Sequence, residues 1–287
     1  MTPIAFIGAG RLGAALATAL SRRGLNVAAI ASRDRNSALR VASALTGCRA
    51  VDAAQAAQAD LVFLTVPDDA IGAVAAQLDW RAGQRVVHCS GATEVSVLEP
   101  ARRCGALTGG FHPLQIFSDP ERAIDLLAGS TVAIEGPPPL EAELRSLAEL
   151  LQMRALTLPP GARALYHGGA SYAASFLLSM LQEAAAIWAG FGVAEADALQ
   201  AMLPLARGTL DAAAAKGLAA AMAGPASRGD VGVIARHLKA LAQLGPPHSA
   251  FYREMTQRQL TLGRASGRLD EPRLQALEAL LATPAAP

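Results

Sequence analysis

An excess of charge of either sign is missing from this chain: 25 Lys and Arg stand against 24 Asp and Glu in 287 residues, a net of +1. A nucleic-acid or anionic-membrane partner needs a basic face or stripe, and here the two signs are interspersed, so neither partner is expected. Cysteine is scarce. Cys48, Cys89 and Cys104 are odd in number and widely spaced, which excludes a disulfide framework and a zinc-ligand spacing. The five histidines show no ligand spacing either, and His-Glu-x-x-His is absent, so no metal is expected. Aromatic residues make up only 4%; with abundant Ala, Leu and Gly this suits helices packed closely on a sheet and argues against disorder. The first apolar strand opens at residue 3, leaving no room for a signal peptide, so the chain is expected in the cytoplasm. The longest apolar tract, Ala162–Val193, carries His167, Gln182 and Glu183. It therefore reads as a buried core helix rather than a membrane span.

What is present is a strong alternation. Pro3–Ile7, Asn26–Ala31, Asp60–Val66, Gln84–Cys89, Ala106–Phe111 and Ser130–Glu135 read as strands. Arg11–Arg23, Asn36–Leu45, Ala70–Leu78 and Leu140–Leu151 read as helices between them. Continuous apolar strands such as Leu61–Val66 suit a sheet buried on both faces, and strand–helix alternation at this spacing means βαβ units in a mainly parallel sheet. After Arg154–Leu158 the pattern changes at Pro159-Pro160-Gly161. Helices follow over Ala162–Phe191, Glu195–Ala215, Val231–Leu244, Ala250–Leu262 and Glu271–Leu281, interrupted by Gly224-Pro225 and Gly245-Pro246-Pro247. The tail 283–287 is expected to fray. Two domains are expected: an α/β Rossmann domain over residues 1–158 and an all-α domain over 159–287.

The strongest motif is Gly8-Ala9-Gly10-Arg11-Leu12-Gly13, placed between a strand and an amphipathic helix. Gly8 permits the tight turn, Gly10 lets the backbone approach a pyrophosphate, and Gly13 allows close helix–strand contact. The N–H groups opening the helix, from Arg11 and Leu12 onward, then face the phosphates. An NAD-binding domain carries Asp or Glu at the end of its second strand. This chain has Ser32-Arg33-Asp34 there, and a hydroxyl beside a planar guanidinium suits the 2′-phosphate of NADP. Asp34 reads as a cap for the next helix. Val66-Pro67 ends a further strand where a Rossmann domain passes beside its cofactor; Asp68 or Asp69 reads as a cap of the helix that follows.

A nicotinamide supplies hydride, so the protein must orient a substrate and move a proton. The Tyr-x-x-x-Lys pair is absent: Ala170, Phe176 and Thr256 follow the three tyrosines, and the only lysines are Lys216 and Lys239. Histidine is the next candidate. His88 and His112 stand at expected strand C-termini, with Ser90 beside the first. His88 reads as a core histidine. His167, Ser171 and Ser175 share an i, i+4, i+8 spacing that gathers three polar groups on one helix face. Arg228 and Asp230 form a third cluster: the arginine could grip a substrate anion, while Asp230 could equally cap a helix.

The glycine fingerprint, Ser32-Arg33, His88-Cys89-Ser90-Gly91-Ala92, Phe111-His112-Pro113-Leu114-Gln115, Tyr166-His167 and Gly229-Asp230 resemble, over nearly the whole chain, a family of Rossmann-like proteins. The second half of that family is a helical domain of unassigned function. It is similar in turn to the group containing ketopantoate reductase, pyrroline-5-carboxylate reductase and 6-phosphogluconate dehydrogenase. The resemblance implies NADP-linked reduction of a small carbonyl or imine compound, ketopantoate being one candidate, in a cleft between the domains of a homodimer built on the helical domain. The better-known relatives place Lys and Asn four residues apart on the first long helix of the second domain; here that face carries Ser171 and Ser175. His112 or His167 is then expected to supply the proton, with Ser90, Ser171 and Ser175 completing the site. The missing Lys/Asn pair also supports a rival, a non-catalytic NADP(H) sensor that dimerises through its helices. A deazaflavin hydride source is a second rival.

Overall fold

The computed structural model describes residues 2–118 and 120–282. The tail expected to fray lies outside them. The chain forms two compact units, one through Tyr172 and one from Ala173 onward.

The first unit opens with β1 (Ile4–Ile7), α1 (Arg11–Arg22), β2 (Val27–Ala31), α2 (Arg35–Ser43), β3 (Arg49–Val51) and α3 (Ala53–Ala56). It continues with β4 (Leu61–Leu64), α4 (Ile71–Gln77), β5 (Arg85–His88), α5 (Glu99–Arg103) and β6 (Leu107–Leu114). α6 (Pro120–Leu127), β7 (Thr131–Glu135), α7 (Pro138–Leu150), β8 (Arg154–Thr157) and α8 (Arg163–Ala173) complete it. The strands form one sheet in the order β3-β2-β1-β4-β5-β6-β7-β8. Every pair is parallel except β6 with β7.

The sequence explains the layers. Side chains alternate across a strand, so Ile4 and Phe6 of β1 enter one core with Leu16 and Leu20 of α1 and Leu140 and Leu144 of α7. Ala5 and Ile7 enter the other core, with Ile71 and Ala75 of α4 and Ala101 of α5. Each large side chain so buried contributes about 1.5–3 kcal/mol. Phe6 and Phe63 stack at 5.0 Å across β1 and β4, and Phe111 meets Phe63 edge-on at 5.9 Å.

Two strand ends differ from the sequence reading. β4 stops at Leu64, leaving Thr65–Pro67 as an edge loop. β6 runs past Phe111 to Leu114, so His112 lies within a strand rather than at its terminus. Pro113 is tolerated there because β5 pairs β6 only as far as Gly110, and beyond it β7 alone is a neighbour.

The second unit contains α9 (Ser175–Ala189), α10 (Glu195–Lys216), α11 (Leu218–Ala221), α12 (Pro225–Arg228), α13 (Val231–Leu244), α14 (Pro246–Ser266) and α15 (Glu271–Ala282). Ile234, Leu238, Leu260, Leu274, Leu277 and Leu281 join α13, α14 and α15 in one core, while Ala185, Ala198 and Met202 join α9 to α10. Gly245 separates α13 from α14 as the sequence suggests, and the Pro246-Pro247 pair itself opens α14, because proline suits the first helical positions.

The expected single helix over Ala162–Phe191 is two helices. Ala174 breaks it at φ −119°, ψ −94°, so Ser175 begins α9, a separate helix from the one that carries His167 and Ser171. Nor is that tract a buried core: Leu165 is 84% exposed, Tyr172 72% and Leu178 69%. Among the described residues no helix is long and apolar enough to cross a membrane.

Candidate functional site

The register aligns Ile7, Leu64, His88 and Gly110 across β1, β4, β5 and β6. The Gly8 turn, Thr65–Pro67, Ser90-Gly91 and His112 therefore all rise from the C-terminal edge of the parallel strands, where open α/β sheets take ligands.

At this edge the fingerprint glycines differ in what requires them. Gly8 holds φ +122°, and a Cβ there would stand 2.4 Å from the Thr65 carbonyl oxygen. A Cβ on Gly13 would stand 2.2 Å from the Gly8 carbonyl oxygen. The Thr65 hydroxyl donates to that same carbonyl at 2.7 Å, strapping the β4 loop to the turn. Gly10 is different: beyond its own stretch of backbone, no atom of the described residues lies within 4 Å of where its Cβ would be. Its bare backbone faces open space, which is the fit a pyrophosphate needs. No side chain caps α1 and no acid stands in its first turn, so its leading N–H groups and positive dipole end are left for an anion. Arg11 is exposed beside them, and Leu12 anchors the helix by packing on the sheet core.

Ser32 is half-buried and Arg33 exposed after β2. Asp34 caps α2, accepting from the N–H groups of Asn36 at 3.1 Å and Ser37 at 3.2 Å. The Ser37 hydroxyl also donates to it and holds its carboxyl below the usual range. Val66 is half-buried and Pro67 exposed. Asp68 and Asp69 make no cap hydrogen bond to α4, against the sequence reading; the Asp68 charge instead acts on His112.

The second cluster gathers around α8. Its first turn is tied to the sheet by Glu94, whose carboxylate accepts from the N–H groups of Gly161 at 3.0 Å and Arg163 at 3.2 Å. The Arg163 side chain, fully buried, donates from Nε to Glu135 at 2.7 Å and from Nη1 to the Ser90 carbonyl at 2.7 Å. Its Nη2 lies where a Cβ on Gly110 would be and finds no hydrogen-bond partner among the described residues. These ties hold α8 on the first unit, so the division falls after Tyr172.

One turn further, Tyr166 and His167 meet His112. The Tyr166 hydroxyl lies 2.9 Å from His112 Nδ1, and the His167 ring stands edge-on to His112 at 5.8 Å. Gly91 makes room for both rings: a Cβ there would be 2.5 Å from His167 Cδ2 and 2.9 Å from His112 Nε2. Burial first, then the charges of His167 and Arg163, push the His112 pKa down to about 4, against a small opposing pull from Asp68. Burial pushes the Tyr166 hydroxyl up to about 12. His88 is a core histidine pushed down to about 3, first by burial and then by Arg163; its Nδ1 accepts from the Ser90 N–H at 3.2 Å. Ser90 spends its hydroxyl on its own loop, bonding Thr93 Oγ1 at 2.9 Å and accepting from the Thr93 N–H at 3.0 Å.

The structure thus brings His112, His167 and the Ser90 backbone together and adds Tyr166, Arg163, Glu135 and Glu94. Ser171 donates its hydroxyl to the His167 carbonyl at 3.2 Å, and Ser175 belongs to the second unit. There too, Asp230 caps α13 by accepting from the Val233 N–H at 3.0 Å, and Arg228 is exposed on α12. Among the described residues no three His, Cys, Asp or Glu are grouped to hold a metal.

A sheet in this order with an uncapped first helix behind a glycine turn defines a Rossmann-type chain, here followed by a helical unit. Residues 2–113 match the Rossmann-like domain and residues 130–259 match the domain of unknown function DUF2520. No protein of curated function matches the sequence. A solved protein from Thermotoga maritima is similar at 21% identity and TM-score 0.75, covering 91% of this chain and 98% of that one. A candidate NADP oxidoreductase from Bacteroides fragilis is similar at 26% identity and TM-score 0.71, covering 93% and 98%. An imine reductase from Pseudomonas sp. shares the fold at 19% identity and TM-score 0.64, covering 98% and 99%.

Proposed function

We propose that this protein is an NADP-dependent oxidoreductase acting on a small carbonyl or imine compound. The observation that carries the reading is the uncapped start of α1 behind the open backbone of Gly10. Similarity to the Bacteroides candidate NADP oxidoreductase supports the same cofactor. The pyrophosphate is assigned to the Gly8–Gly13 turn and the 2′-phosphate to Ser32 and Arg33, with Val66 and Pro67 beside the nicotinamide half. When bound, the reduced nicotinamide supplies the hydride. The protein's share is to orient the substrate and provide a proton at the His112 cluster.

Fluorescence titration with NADPH and NADH tests the cofactor assignment. Arg33→Ala removes a charge-assisted grip of about 1.5–3 kcal/mol, so NADPH affinity should fall about 10- to 100-fold while NADH affinity stays unchanged. Equal binding of the two dinucleotides by the natural chain would end the assignment to NADP.

We further assign the exposed apolar residues of the helical unit to a homodimer. Leu178 is 69% exposed, Phe191 67% and Leu205 72%, apolar surface that a second copy would cover. Sedimentation at micromolar concentration should give twice the chain mass; a monomer would refute the assignment.

A further inference from the structure

We infer that Tyr166 is the group that hands the proton to the substrate, with His112 behind it as a relay to water through the His167 side of the cluster. The inference rests on the oxidoreductase reading above and names the proton donor that reading leaves open.

The geometry sets the order of the chain. His112 commits Nδ1 to the Tyr166 hydroxyl at 2.9 Å, and its Nε2 edge lies against Gly91 and toward His167. His167 is exposed, whereas His112 and Tyr166 are each partly covered. His167, the exposed ring, is therefore the solvent end of the line, and Tyr166, held on the other ring nitrogen of His112, is assigned to the substrate end. A histidine that stays neutral at neutral pH is a poor direct acid, but it can pass a proton without ionising, taking one on Nε2 as it gives up one from Nδ1.

The step balances as follows. As hydride and its electron pair from the reduced nicotinamide reach the C=X carbon, the Tyr166 O–H bond breaks and an X–H bond forms. The phenolate oxygen recovers a proton from His112 Nδ1–H, and His112 Nε2 takes one from water at the His167 face. One proton leaves the solvent per substrate reduced. Between turnovers the ring regains its Nδ1–H tautomer by exchange with water.

Gly91 is a positioning residue in this scheme. Any side chain there would push His112 and His167 apart, although its backbone can accept alanine.

The test uses the full chain with two readouts. The first needs neither cofactor nor substrate: ring-¹⁵N histidine NMR, with the His112 signals assigned through His112→Ala. Tyr166→Phe and Gly91→Ala should each shift the His112 Nδ1 resonance; unchanged resonances in both would overturn the proposal. The second is NADPH consumption with 1-pyrroline and with cyclohexanone as probes. Tyr166→Phe should lower kcat on the order of 10²-fold or more, with the NADPH dissociation constant unchanged. His112→Ala should fall similarly and recover in part with added imidazole, while Tyr166→Phe should not recover. Full turnover by Tyr166→Phe with intact NADPH binding would overturn the relay and leave the oxidoreductase reading standing. Failure of the natural chain to bind NADPH would overturn both.

Discussion

Glu135→Gln is expected to destabilise the first unit by about 3–5 kcal/mol, the usual cost of stripping the partner from a buried charge. The Arg163 guanidinium is fully buried, its partner carboxylate lies 2.7 Å away, and one of its nitrogens already lacks a hydrogen-bond acceptor. Removing the carboxylate leaves a cation that water cannot reach. The amide keeps the volume of Glu135, so the loss reports charge rather than a cavity. Arg163→Met in the same chain should restore part of the stability, because the uncompensated charge goes with it. Urea unfolding read by Trp80, in a Trp188→Phe background that leaves Trp80 the sole tryptophan, follows the first unit alone. If Glu135→Gln unfolds within 1 kcal/mol of its parent, the buried pair is not what seats α8 on the sheet.

That pair marks where the sequence was readable and where it was not. The parallel strands announced themselves as continuous apolar runs, and the Gly8–Gly13 turn carries its reason for glycine within a few residues of chain. The Asp34 cap is equally local. β3 is three residues long, too short for any periodicity to emerge. The break at Ala174 has neither proline nor glycine to signal it, so the spacing of His167, Ser171 and Ser175 looks like one helix in sequence and is divided between two. The Arg163–Glu135 contact joins residues far apart in the chain. Its one local trace was Gly109-Gly110 inside a strand, since glycine there marks close approach by another group. A Cβ on Gly109 would meet the Glu135 carbonyl oxygen at 2.5 Å, and Gly110 makes room for the guanidinium. Tyr166 was passed over because no lysine follows it four residues later; its actual partner, His112, comes from a different strand.

Acid should begin to destabilise the first unit below about pH 6.5, before its carboxylates protonate. His88 and His112 hold folded pKa values of about 3 and about 4, against the ordinary 6.5. Both values are depressed, so between pH 6.5 and 4 the unfolded chain binds protons that the folded chain refuses. Stability from these two groups is complete above pH 6.5 and is lost as pH falls through that window. With both histidines excluded from protonation the slope approaches about 2.7 kcal/mol per pH unit, one increment of about 1.36 for each. Asp34, Glu99 and Glu141 are also shifted, but downward as carboxylates, so their contribution is lost only at lower pH. Urea midpoints of the Trp80 transition at pH 7.5, 6, 5 and 4.5 should therefore fall steeply, and His112→Gln should halve the slope by leaving His88 alone. A stability that stays level from pH 7.5 to 5 would mean that both rings accept protons in the folded state. His112 would then carry a charge beside Tyr166 below about pH 6.5, and the neutral relay would be confined to higher pH.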